Sequence, residues 1–138
     1  MDGKEIITNK SFCVLPWTGF QLEPTGTIKN CIISKEKLGN IHDSSIEDIM
    51  SGSKNLKLKE DMLEDRKPHN CSGCYLQEKG TKNLSSISSR LYYNRELAET
   101  YLNTKTDFSL YHVDLRWTNH CNQACVYSSP LYSSKWAT

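Results

Sequence analysis

No stretch of this 138-residue chain is apolar for long enough to cross a membrane, and its mean hydropathy is low. Neither sign of charge prevails. Seventeen Lys and Arg stand against sixteen Asp and Glu, which leaves no electrostatic footprint for nucleic acid or an acidic membrane surface. The opening MDGKEIITNK is charged, without an apolar core or a small-residue cleavage site, and so lacks the marks of a signal peptide. There are no internal repeats, and no histidine–acid pair is placed to activate a serine nucleophile. These absences point to the cytoplasm, where thiols stay reduced and clustered cysteines are metal ligands more often than disulfides. What the chain does have is cysteine, six in all: Cys13, Cys31, Cys71, Cys74, Cys121 and Cys125.

The length suits one domain, or a small domain plus the start of another. Residues 12 to 34 predict a β-hairpin in which GFQLE and TIKNCII are joined by PTG, with Pro24 and Gly26 placed for a tight turn. SSIEDIM predicts a short helix capped by Ser44 or Ser45 and ended by Gly52. A second helix is expected from a cap at Ser53, with Leu56, Met62 and Leu63 on one face and its mixed charges solvated. NLSSISSR reads as a lead-in to a helix over LYYNRELAETYL, where Leu91, Leu97, Ala98, Tyr101 and Leu102 recur at helical spacing. FSLYHVDLRW then reads as a buried strand that delivers its end to the loop of Cys121 and Cys125. Such a strand ordinarily opens a βαβ unit and pairs with later parallel strands, so the chain looks like a domain and a half.

Cys71 and Cys74 form a CxxC, a spacing that turns two thiolates toward one metal, with Gly73 giving the backbone room. Cys13 and Cys31 flank the hairpin. Four thiolates complete a tetrahedral zinc site or hold the corners of an iron–sulfur cluster. The alternative is a set of buried, unligated thiols. A zinc ribbon usually has a second CxxC knuckle, and the single one here tilts the choice toward a cluster. The histidines His42, His69, His112 and His120 read as solvent-facing or supporting residues rather than ligands. Arg116 reads as an ion-pair partner, Trp17, Trp117 and Trp136 as packing residues, Ser133 and Ser134 as helix caps, and Glu78 as a helix N-terminal charge.

Cys121-x-x-x-Cys125-x-Tyr127 followed by Ser128, within LRWTNHCNQACVYSSPLYSSKW, resembles the signature of the radical S-adenosylmethionine superfamily. In that family a third cysteine stands at the place of Ser128. Three cysteines leave one iron of a four-iron cluster open to the amino and carboxylate groups of S-adenosylmethionine. Its reductive cleavage then yields a 5′-deoxyadenosyl radical for hydrogen abstraction. Tyr127 holds the place of the aromatic that lies against the adenine. Serine is a hard ligand beside soft thiolates, so this second cluster is expected to bind poorly, and the chain as it stands is not expected to turn over.

The N-terminal half resembles the SPASM, or shorter twitch, auxiliary-cluster domain. The likeness is carried by FCVLPW, by Cys13-x12-Gly26-x4-Cys31, by LGNIHDSSIEDIM and by CSGCYLQEKG. No further cysteine appears between Cys74 and Cys121, so the one-cluster twitch form is the better match, here ahead of the barrel rather than behind it. The resemblances imply an α+β fold with three parts. These are a twitch-like domain over 1–84 with an auxiliary 4Fe–4S cluster, a connecting helix over 85–106, and the incomplete start of a (β/α) barrel over 107–138. They also imply S-adenosylmethionine as cofactor, a flavodoxin- or ferredoxin-like reductant as partner, and a peptide or small molecule as substrate. The rival expectation is a structural zinc-binding or cluster-binding module without catalysis.

Overall fold

The computed structural model describes residues 1–80, 87–104 and 108–116. The fold is α+β: six α-helices and one 3-10 turn surround a small mixed sheet, among the described residues. Helix α1 (Gly3–Thr8) opens the chain on a capping box that the sequence reading did not anticipate. Asp2 accepts from the Glu5 N–H and the Glu5 carboxylate accepts from the Asp2 N–H, at 2.8 and 2.7 Å. A single turn, α2 (Leu15–Thr18), follows with Pro16 in its first turn, where no amide is needed.

The expected hairpin is present but shorter. Strands β1 (Gly19–Leu22) and β2 (Thr27–Lys29) pair antiparallel, with Gln21 opposite Lys29 and Leu22 opposite Ile28. Gly26 takes φ +85°, the left-handed value the turn requires, and its N–H donates to the Glu23 carbonyl. Cys31 lies just past β2, in a turn closed by the Ser34 N–H on the Cys31 carbonyl. A two-residue strand, β3 (Gly39–Asn40), adds to the free side of β2.

Helix α3 (Ile46–Met50) is capped by Ser45, which accepts from the Asp48 N–H. Helix α4 (Ser53–Leu63) starts one residue differently from expectation, with Gly52 as its cap and Ser53 inside. Its buried face also differs. Asn55, Leu58, Lys59 and Met62 point inward, whereas Leu56 and Leu63 are about half exposed. The physical reason is tertiary. Asn55 finds backbone carbonyls of Pro16 and Met50 for its amide, at 2.9 and 2.8 Å, and Lys59 lays its ammonium over the Trp17 ring.

A 3-10 turn (His69–Cys71) runs straight into α5 (Ser72–Gly80), and after the next described residues comes α6 (Ser89–Thr104). Strand β4 (His112–Leu115) pairs parallel with β1, so the sheet order is β3-β2-β1-β4. Sequence reasoning sought its partners later in the chain; the structure supplies β1 instead. The strand is half-buried rather than fully buried. No helix among the described residues is long and apolar enough to cross a membrane.

Two apolar cores result among the described residues. One, built on Phe20, Ile28, Met50 and Leu58, fills the space between the sheet and helices α3 and α4. The other, built on Ile6, Phe12, Trp17, Met62 and Tyr101, joins α1, α2 and α6 and includes Cys13 and Cys71. Phe12, Trp17 and Tyr101 form an aromatic triad with centroids 5.1 to 5.3 Å apart, which makes Trp17 the packing residue it was expected to be.

Candidate iron–sulfur site

Cys13, Cys31, Cys71 and Cys74 come from three separate segments and line one pocket, together with Leu15, Asn30, Ile33, Ser89 and Arg90. Cys13 precedes α2, Cys31 follows β2, and Cys71 and Cys74 sit at the junction of the 3-10 turn and α5. The CxxC is therefore not a free loop. Cys71 ends the turn and Cys74 lies in the first turn of α5. Gly73 between them serves a close approach rather than a special backbone angle. A Cβ there would stand 2.8 Å from Ile33 Cγ2, on the segment that carries Cys31.

From Ser11 to Val14 the chain has no regular structure yet is buried, so its polar backbone atoms need partners. Side chains supply them. Asn9 Oδ1 accepts from the Ser11 and Phe12 N–H groups at 2.8 and 2.7 Å. Tyr75 donates its hydroxyl to the Ser11 carbonyl at 2.7 Å. Asn94, fully buried on α6, accepts from the Val14 N–H and donates to the Ile6 and Phe12 carbonyls. Arg90 Nη1 donates to the Asn9 and Phe12 carbonyls, both at 2.8 Å. The Cys31 loop is tied to the turn before Cys71 in a similar way, through the Lys35 N–H on the Asn70 carbonyl and Asn70 Nδ2 on Glu36.

Each sulfur faces an N–H donor. The Leu15 amide serves Cys13, the Ile33 and Ser34 amides serve Cys31, and the Arg90 and Ser89 amides at the start of α6 serve Cys74. The Asn30 side-chain amide serves Cys71. These bonds stabilise thiolates. Burial works against them and dominates: it raises all four thiols, carrying Cys71 to about 12, with negative charge on neighbouring cysteines adding to the rise at Cys13, Cys31 and Cys71 and the Glu78 carboxylate adding to it at Cys74. Without a metal the four are neutral and pack as small apolar groups.

Such a donor set fits a soft, cationic, sulfur-bridged group. The thiols share a pocket, yet no three His, Cys, Asp or Glu side chains among the described residues are arranged to hold a metal ion. A tetrahedral zinc with bonds of about 2.3 Å would draw its sulfurs to within roughly 3.8 Å of one another. A cluster places metal and sulfide between its thiolates and holds them further apart. The cavity between the side chains is about 10 Å³, room for one water.

Of the other singled-out residues, His42 and His69 are exposed and His112 packs at a tilt against Tyr93 with centroids 4.5 Å apart; none lines the thiol pocket. Arg116 pairs with Asp114 at 3.1 Å. Glu78 is not a helix N-terminal charge. It sits in the last turns of α5 and forms a two-pronged ion pair with Arg90, at 2.9 and 2.7 Å. Arg90, Asn94 and Asn30 escaped sequence reasoning, because polar residues on a helix stripe or beside a turn are ordinarily assigned to solvent. Cys121, Cys125, Tyr127, Ser128, His120, Trp117, Trp136, Ser133 and Ser134 lie outside the described residues.

No curated protein and no solved structure matches the chain. Residues 13–75 match the family model of SPASM, described as an iron-sulfur cluster-binding domain. The matched segment begins at Cys13, ends just past Cys74 and contains the four cysteines that line the pocket, so this part of the chain is similar to a domain that binds iron–sulfur clusters.

Proposed function

We propose that Cys13, Cys31, Cys71 and Cys74 hold an auxiliary 4Fe–4S cluster in a radical S-adenosylmethionine enzyme. The observation that carries the reading is the meeting of four cysteines from three segments in one buried pocket, each sulfur facing an N–H donor. When bound, such a cluster supplies one-electron chemistry or an anchoring iron. The chain's own residues pack the Phe12–Trp17–Tyr101 triad into the same apolar core as Cys13 and Cys71 and hold the Cys13 segment through Asn94 and Arg90.

The radical-generating part of the reading rests on sequence resemblance. Cys121 and Cys125 are two of the three ligands of a second cluster, Tyr127 is the residue laid against the adenine of S-adenosylmethionine, and Ser128 replaces the third ligand. Support comes from the family match, since SPASM domains occur in radical S-adenosylmethionine enzymes. The substrate class is a peptide or small molecule, and the reductant is a flavodoxin- or ferredoxin-like protein.

The test is iron, sulfide and zinc content after anaerobic purification of this chain and of Ser128→Cys. About four irons per chain, rising toward eight in the variant, is the expected result for two four-iron sites. Zinc near one per chain with no change in the variant overturns the reading and leaves a structural zinc module.

A further inference from the structure

The family match ends at residue 75, but the thiol pocket does not: Ser89 and Arg90, at the start of α6, form part of its wall. Arg90 is 3% exposed and, among the described residues lining that pocket, is the only cation. A buried guanidinium must be paired and hydrogen-bonded. Here Nε and Nη2 grip both oxygens of Glu78, Nη1 donates to the Asn9 and Phe12 carbonyls, and the group lies over the Tyr75 ring at 5.7 Å. Glu78 stands one helical turn beyond Cys74 and is further fixed by the Ser88 hydroxyl at 2.6 Å. One side chain thus ties the α5 thiol, the segment before Cys13 and the start of α6 to a single point. Its own amide faces Cys74.

We propose that the Glu78–Arg90 pair is the redox-positioning element of the auxiliary cluster, a role for α6 outside the family-matched segment. The inference rests on the cluster reading above. One-electron reduction adds negative charge inside the pocket, with the electron supplied by the external reductant and no bond made or broken. The Arg90 guanidinium, on the pocket wall, favours the reduced state. The Glu78 carboxylate, behind it and 19% exposed, opposes it and offsets part of that effect. The pair therefore sets the midpoint as a difference of two opposed charges, and removing either member moves it in a predictable direction.

The experiment uses the full chain, purified anaerobically, with iron and sulfide measured first. The reduction midpoint of the wild type, Glu78→Gln, Arg90→Met and Arg90→Lys is then read by electron paramagnetic resonance during stepwise addition of dithionite. Arg90→Met is expected to lower the midpoint, Glu78→Gln to raise it, and Arg90→Lys to fall closer to the wild type than Arg90→Met does. A purely structural role would alter cluster content without opposite shifts. Iron-loaded variants whose midpoints coincide, or move the same way, overturn the inference while leaving the cluster reading intact. If Arg90→Met does not fold, Glu78→Gln decides, and an unchanged or lowered midpoint overturns it. A wild type without iron overturns both.

Discussion

Asn94 is a residue on which the candidate site depends without forming part of its wall. Its side chain is fully buried, and three hydrogen bonds leave it: Oδ1 accepts from the Val14 N–H at 2.9 Å, and Nδ2 donates to the carbonyls of Phe12 at 2.9 Å and Ile6 at 3.2 Å. Leucine has the same branching and the same number of side-chain heavy atoms, though its methyl groups are bulkier, so Asn94→Leu removes the hydrogen bonds without leaving a hole. The Phe12 carbonyl keeps Arg90 as a donor, but the Val14 N–H and the Ile6 carbonyl lose their Asn94 partners in a dry environment. At about 1–3 kcal/mol for each of the two buried groups left unsatisfied, the loss is about 2–6 kcal/mol. Against a total stability of about 5–15 kcal/mol for a domain, that is a large fraction. Urea unfolding of the metal-free wild type and variant measures it. Because Val14 adjoins Cys13, anaerobic loading should also yield less iron per chain in the variant. A loss below about 0.5 kcal/mol, the range of an ordinary surface substitution, would refute the reasoning.

Other outcomes follow from the same structure. Leu58→Ala is expected to cost about 2–5 kcal/mol, since Leu58 is 3% exposed, whereas Leu56→Ala should change stability by less than about 0.5 kcal/mol; thermal melts of the two separate the observed α4 face from the one the apolar pattern suggests. Gly73→Ala should lower the melting temperature and iron loading, and adding Ile33→Ala, which removes the Cγ2 atom 2.8 Å away, should restore part of both. The metal-free protein should lose stability as pH rises above about 9. The Cys71 thiol goes from 9.0 to about 12 on burial, so between those values the folded state binds more protons than the unfolded one, and stability present below that window is lost through it. Urea midpoints measured from pH 7 to 10 test this, and a rising midpoint would contradict it.

The CxxC was legible as a spacing, but it stands at the junction of a 3-10 turn and a helix rather than in a loop. The PTG turn was legible because it is local, needing only a few residues, and it stands where the sequence placed it. The hairpin strands and the cap at Ser45 were legible for the same reason. What stayed hidden is long-range. Nothing in HVDL says that its parallel neighbour lies some ninety residues earlier in β1. On α6 the buried stripe is Arg90, Asn94, Ala98 and Tyr101, and two of these four are polar residues that an apolar pattern assigns to solvent. On α4 the same pattern chose Leu56 and Leu63, while Asn55 and Lys59 took the interior through partners elsewhere in the chain. Buried polar residues are kept by the partners that satisfy them, and those partners emerge only once the chain has folded.

The most direct measurement is iron and acid-labile sulfide per chain, with zinc alongside, in anaerobically purified protein and in Cys13→Ala, Cys31→Ala, Cys71→Ala, Cys74→Ala and Cys121→Ala. The account predicts iron and sulfide in equal amounts in the wild type, a marked loss in each of the first four variants, and little change in Cys121→Ala. Iron that survives all four substitutions but falls with Cys121→Ala, or zinc in its place, would contradict it.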